Sequence, residues 1–116
     1  MVRALVVDDD AALRMLCRVN LELEGFAVRE AATVVEAEAA VEAERPDVVL
    51  LDVHLGREAS DPLFARLREA GIPVAAVTGT ADVSQYRERA DATLTKPFDP
   101  ADLVDTARRL ARVDAS

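Results

Sequence analysis

The sequence predicts an α/β domain in which one five-stranded parallel sheet carries helices on both faces. Two observations predict it. Short apolar runs alternate with longer amphipathic stretches from end to end, five of each, which is how a parallel sheet with crossover helices reads. Two of those runs, Ala4-Leu5-Val6-Val7 and Val48-Val49-Leu50-Leu51, empty directly into carboxylates, Asp8-Asp9-Asp10 and Asp52. In an open parallel sheet the C-terminal strand ends lie side by side, and that edge is where ligands bind.

Each element follows in order. After the first run, Leu13, Leu16, Cys17 and Leu21 recur at helical spacing, and Gly25 supplies the left-handed residue that stops the helix. Phe26 to Ala31 reads as the second strand. Thr33 and Glu36 form a capping-box pair that opens the second helix, with Ala37, Ala40 and Val41 facing inward and Pro46 beyond its end. Asp47 to Leu51 is the third strand. Val53 to Ser60 is polar and holds Gly56, so it reads as a loop into a helix carrying Leu63, Phe64 and Leu67, closed by Gly71 and Pro73. Val74 to Val77 is the fourth strand. From Gly79 to Asp91 the pattern weakens, with Val83 and Tyr86 the only large apolar residues, which predicts a fourth helix that is short or irregular. Ala92 to Thr95 makes the fifth strand. In the last helix Asp99 is the cap, Pro100 takes the first position, and Leu103, Val104, Ala107, Leu110 and Ala111 form the buried stripe. Only a few polar residues follow Val113, and no repeat or low-complexity segment interrupts the chain, so residues 1–116 read as a single domain.

Composition narrows the function. A chain of 116 residues supports one core and not two. Being 51% hydrophobic with three Phe, one Tyr and no Trp, it has an aliphatic core and is not a disordered segment. The formal charge of −8 argues against nucleic acid as a partner, because phosphate backbones select for clustered Lys and Arg. It favours a cation or a basic partner surface. Cys17 is the single cysteine, which excludes an internal disulfide. It falls on the apolar stripe of a helix, so it reads as core in a reducing, cytoplasmic compartment. No signal pattern and no apolar stretch of bilayer length is present, so no membrane role is expected.

The chemistry lies at the strand ends. Carboxylates crowded at one sheet edge repel each other and prefer a proton or a hard divalent cation between them. Further along, Val74-Ala75-Ala76-Val77 ends on Thr78-Gly79, and Ala92-Thr93-Leu94-Thr95 ends on Lys96-Pro97-Phe98. Each of these alone is a weak signal, because acids are common after strands and a Thr or Lys there is usually solvated or capping. Asp10 begins the first helix, so it reads as a cap favouring the positive helix end rather than as a metal ligand. The combination, one element per strand end, is the strong signal.

On those residues the whole chain resembles the CheY-like receiver domains of two-component response regulators, whose sheet is flavodoxin-like in strand order. The resemblance implies that Asp52 is the nucleophile that accepts a phosphoryl group from a phosphohistidine on a histidine kinase or histidine phosphotransfer protein. It implies Mg²⁺ held by Asp8, Asp9, Asp52 and the backbone carbonyl of His54. Lys96, the Thr78 hydroxyl and the Gly79 amide would bind the phosphate, and the Lys96-Pro97 peptide would be cis. These are the positioning and charge-neutralising roles that phosphoryl transfer asks of a protein. His54 and Thr80 would stand where they tune hydrolysis of the acyl phosphate. Such a domain is a signalling module rather than an enzyme, and its output is altered binding to a downstream protein. The rival readings are a receiver excised from a larger hybrid kinase or regulator, and a pseudo-receiver that binds without phosphotransfer. No Gly-rich phosphate loop follows the first strand, which counts against a nucleotide-dependent enzyme.

Three positions depart from the family pattern. Thr93 stands where most receivers carry an aromatic switch residue, three positions before the lysine. The stretch from Thr78 to Lys96 is about one helical turn shorter than usual, and Gly56 replaces a customary proline. The segment Gly71 to Gly79 partly resembles a receiver subgroup that also lacks the aromatic. That likeness implies a kinase of the HWE type and a fourth segment that phosphorylation orders.

Overall fold

The computed structural model describes residues 1–55, 58–79 and 83–112, and every side chain among them except those at 58, 59 and 83. The expectations for Gly56 and Thr80 lie outside the described residues. In chain order the elements are β1 (Arg3–Val7), α1 (Ala11–Leu23), β2 (Ala27–Ala31), α2 (Val34–Ala43), β3 (Val48–Asp52), β4 (His54–Leu55), β5 (Glu58–Ala59), α3 (Asp61–Glu69), β6 (Val74–Thr78), α4 (Val83–Tyr86), β7 (Ala92–Thr95) and α5 (Pro100–Leu110). Five strands form a parallel sheet in the order β2-β1-β3-β6-β7. The five strands, the parallel sheet and the four-residue α4 match the sequence-based expectation.

The core is split by the sheet with a strict period of two. Leu5, Val7, Val49, Leu51, Val74 and Ala76 point to one face and pack with Ala37 of α2, with Leu63, Phe64 and Leu67 of α3, and with Tyr86 of α4. Ala4, Val6, Val48, Leu50, Ala75 and Val77 point to the other and pack with Cys17 and Leu21 of α1 and Leu103, Val104 and Ala107 of α5. A strand apolar at every position is therefore a strand covered on both sides. Leu50 and Leu51, neighbours on opposite faces, are both fully buried, each stabilising the fold by about 1.5–3 kcal/mol over leaving it in water.

Local signals set the helix ends. The Asp10 carboxylate accepts from the Ala12 and Leu13 amides, capping α1 as the sequence suggests. Thr33 Oγ1 accepts from the Glu36 amide, and the Glu36 carboxylate reaches back to the Ala32 amide, one residue earlier than in the usual box. Gly25 and Gly71 take φ of 91° and 72°, the left-handed conformation that ends α1 and α3 without a Cβ penalty.

Three expectations need correction. The segment after Asp52 is not plain loop: His54–Leu55 and Glu58–Ala59 pair antiparallel as a two-stranded ribbon. Asp99 occupies the cap position of α5, but its side chain makes no capping hydrogen bond, so the helix start rests on Pro100 and on backbone bonds to the Asp99 carbonyl. Leu16 is not on the buried stripe. It is 42% exposed beside Met15 and Val19, because the sheet covers only the Cys17–Leu21 side of α1.

Candidate functional site

Sheet register brings the strand ends together. Val7 pairs with Leu51, so Asp8 and Asp52 follow on adjacent strands, and Thr78 pairs with Thr95, which places Lys96 just beyond. The Lys96 amide donates to the Thr78 carbonyl at 2.8 Å, continuing that ladder past the strand. The Lys96-Pro97 peptide is cis. Asp8 and Asp52 are buried while Asp9 is exposed, and one carboxylate oxygen from each of the three lies within 4.8 Å of the others.

The Asp52 carboxylate is gripped on both sides. Its Oδ1 accepts from the His54 amide at 3.0 Å, and its Oδ2 accepts from Lys96 Nζ at 3.2 Å. Lys96 Nζ also stands 3.6 Å from Asp8 Oδ2. Asp8 Oδ1 accepts from the Asp10 amide at 2.9 Å, and the Asp8 backbone carbonyl accepts from the Arg14 guanidinium at 2.7 Å. Thr78, fully buried, donates its hydroxyl to the Gly79 carbonyl at 3.1 Å. His54 itself is exposed.

Charge is unbalanced here, because three carboxylates face one ammonium. Burial pushes the Asp8 carboxyl up to about 6, with the neighbouring Asp52 charge acting in the same direction and the Asp10 amide and Lys96 opposing it. Partial burial lowers the Lys96 ammonium, but the Asp52 and Asp8 carboxylates outweigh it and leave Lys96 above its usual range. A hard divalent cation bound by oxygen would relieve the first effect. The donor set fits Mg²⁺, which is commonly held by one or two carboxylates with several retained waters.

The family comparison decides what kind of site this is. A model of the response regulator receiver domain matches residues 4–108. The chain belongs to the receiver family. Receiver domains are phosphorylated by histidine kinases and bind Mg²⁺ at an acidic pocket. The receiver is 37% identical over 118 residues to the DNA-binding response regulator MtrA of Mycobacterium tuberculosis, covering 97% of this chain and 52% of MtrA. It is 32% identical over 120 residues to the DNA-binding dual master transcriptional regulator RpaA of Synechocystis, covering 97% of this chain and 50% of RpaA. It thus spans about half the length of these curated relatives. Among solved structures, the receiver domain of NtrX from Brucella abortus superposes with a TM-score of 0.88 at 27% identity, covering 96% of this chain and 99% of that one. A CheY-like receiver domain protein from Methanospirillum hungatei gives 0.87 at 29% identity, covering 97% and 95%. Among the described residues, no helix of the receiver is long and apolar enough to cross a membrane.

The structure also brings in a residue that sequence reading left in a loop. Ser60, fully buried, donates its hydroxyl to the Asp52 backbone carbonyl at 2.7 Å. A serine before a helix reads as a cap, and nothing local announces a partner eight residues back. Thr93, which stands where most receivers carry the aromatic, is half-buried. It lines a groove of about 640 Å³ along β7 and α5 with Thr95, Phe98, Asp102 and Arg109.

Proposed function

We propose that this receiver takes a phosphoryl group from a phosphohistidine onto Asp52. The arrangement of the Asp52 carboxylate supports it: one oxygen faces the His54 amide, the other faces Lys96, and Asp8 and Asp9 lie alongside. An Asp52 oxygen attacks phosphorus in line, the P–N bond to the donor imidazole breaks, and its electron pair stays on that nitrogen. Lys96 exchanges its contact with Asp52 for one with the transferred phosphoryl oxygens. Thr78 releases the Gly79 carbonyl and donates its hydroxyl to the same group, beside the Gly79 amide. Asp8, Asp9, Asp52 and the His54 carbonyl would hold Mg²⁺, which when bound would supply charge neutralisation between carboxylates and phosphate. The output of the unit, residues 1–116, is altered affinity for a downstream protein, since moving Lys96 and Thr78 shifts the loops that follow β3 and β6. The DNA binding named for MtrA and RpaA is a property of proteins about twice this length, and we assign none of it to this acidic unit.

The test is intact-mass analysis after acetyl phosphate with Mg²⁺, or after a phosphorylated histidine kinase. The wild-type chain gains one phosphoryl group, and Asp52→Asn gains none. A folded wild type that stays unmodified under both donors, or an Asp52→Asn variant modified to the same extent, overturns the assignment.

A further inference from the structure

We propose that Ser60 is a positioning residue for the acceptor loop, holding Asp52 and the His54 peptide in the geometry that Mg²⁺ and phosphate require. The inference rests on the function proposed above. Ser60 occupies the cap position of α3, where a serine ordinarily accepts from a helix amide. It does not: its backbone is in the right-handed helical region, its side chain makes no capping bond, and its hydroxyl is turned back to donate to the Asp52 carbonyl at 2.7 Å.

That carbonyl belongs to the peptide joining Asp52 to Val53, and the neighbouring bonds leave it little freedom once it is held. The Val53 amide donates to the Val77 carbonyl at 3.1 Å, and the His54 amide donates to Asp52 Oδ1 at 3.0 Å. Three consecutive residues are thus fastened by three bonds to three different elements: α3 through Ser60, β6 through Val77, and the acceptor carboxylate itself. Apart from the acceptor carboxylate itself, Ser60 is the one side chain among the three anchors. Its own carbonyl accepts from the Leu63 and Phe64 amides, so the hydroxyl is aimed from the rigid first turn of α3. Without the donor, the buried Asp52 carbonyl has lost its partner, and the peptide can rotate to seek another. Rotation of that peptide carries the carboxylate and the His54 carbonyl with it.

Groups that orient a ligand from behind typically carry a 10–100-fold effect on metal affinity. Ser60→Ala is therefore expected to raise the Mg²⁺ dissociation constant about tenfold in titration calorimetry. At low Mg²⁺ it slows phosphorylation by acetyl phosphate in proportion, with most of the rate recovered at saturating Mg²⁺. Ser60→Thr keeps the hydroxyl and stays within about twofold of wild type in affinity, even where its extra methyl lowers stability. Leu67→Ala, which loosens the far end of the same helix, lowers stability and leaves Mg²⁺ affinity unchanged. If Ser60→Ala does not fold, Ser60→Cys, nearly the same size with a weaker donor, is the variant expected to weaken Mg²⁺ binding.

Wild-type Mg²⁺ affinity in Ser60→Ala or Ser60→Cys overturns the proposal. So does a loss in Ser60→Ala no larger than that in Leu67→Ala. A wild type that binds Mg²⁺ and is phosphorylated while Ser60→Ala equals it removes this inference alone. A wild type that does neither removes the functional reading and this inference together.

Discussion

On one face of the sheet, α1 and α5, 13 and 11 residues long, lay Cys17, Leu21, Leu103, Val104 and Ala107 onto the strands. On the other, α2 and α3 do the same, but among the described residues the next connection supplies only the four-residue α4. What holds α4 is different in kind. Tyr86 packs its ring 5.4 Å from Phe64 and reaches Asp61 with its hydroxyl at 3.4 Å, Arg89 meets Asp61 at 3.0 Å, and Arg68 donates to the Glu88 carbonyl. Apart from the ring contact these are long or exposed polar bonds, worth little each. Among the described residues, one face is tied by the buried area of two long helices, and the α4 edge by the Phe64–Tyr86 ring contact with a few polar bonds around it. The acid site straddles the two, with Asp8 leading into α1, and Asp52, Thr78 and Lys96 on the strands and loops that flank α3 and α4.

Four measurements would break or sharpen that contrast. The largest effect concerns Cys17, buried on the α1 side, whose thiol burial pushes up from 9.0 to about 12. Near neutral pH it should react with Ellman's reagent roughly a thousandfold more slowly than in denaturant, since the thiolate is the nucleophile. Fast reaction in the native state would mean that the α1/α5 face opens easily.

Next, Leu103→Ala should cost about 2–5 kcal/mol in urea denaturation. Asp61→Asn, at the exposed Arg89 pair, should cost no more than about 1 kcal/mol. Equal losses would erase the distinction between the faces.

A smaller effect is expected from pH. The folded-state pKa of Asp8 lies above its ordinary 3.8, at about 6, so this group favours the folded state most at low pH. That contribution fades as pH rises through about 6, leaving the metal-free protein relatively less stable near neutrality. Mg²⁺ must displace that proton, so its apparent affinity should fall by about tenfold between pH 7 and pH 5, with proton release measurable in buffers of different ionisation heat. A flat affinity across that range would contradict the burial-driven shift.

The smallest effect is Tyr86→Phe, expected to change global stability by at most about 1 kcal/mol. It should nevertheless speed amide exchange in α4 while leaving α5 untouched. Exchange altered equally in both helices would show that the two are not separately held.

Much of this was legible residue by residue. β1, β3 and β6 were marked by apolar runs, α1 by the Asp10 cap, α2 by Thr33 and Glu36, and the turns by Gly25 and Gly71, because each of those signals acts within a few residues. Other features escaped for the opposite reason. The α1 periodicity placed Leu16 with Leu13 and Cys17, yet how wide a stripe is covered depends on where α5 and the sheet lie, and the structure leaves Leu16 exposed. The β4–β5 ribbon is too short to carry a two-residue pattern of its own. Asp99 had the right identity for a cap, but its carboxylate makes no such bond.

By itself, then, the sequence determined the order of the five sheet strands and five helices, most of the split between buried and solvated residues, and which carboxylates, hydroxyl and ammonium end their strands. Those follow from local propensity and from the spacing of apolar residues. Only the tertiary structure decided the register that sets Asp8 against Asp52 and Lys96, the proton affinity that burial gives Asp8, and the choice of the Asp52 carbonyl as partner for Ser60. Each of these depends on groups distant in the chain meeting in a low-dielectric interior, and their strength is set by that meeting rather than by residue type.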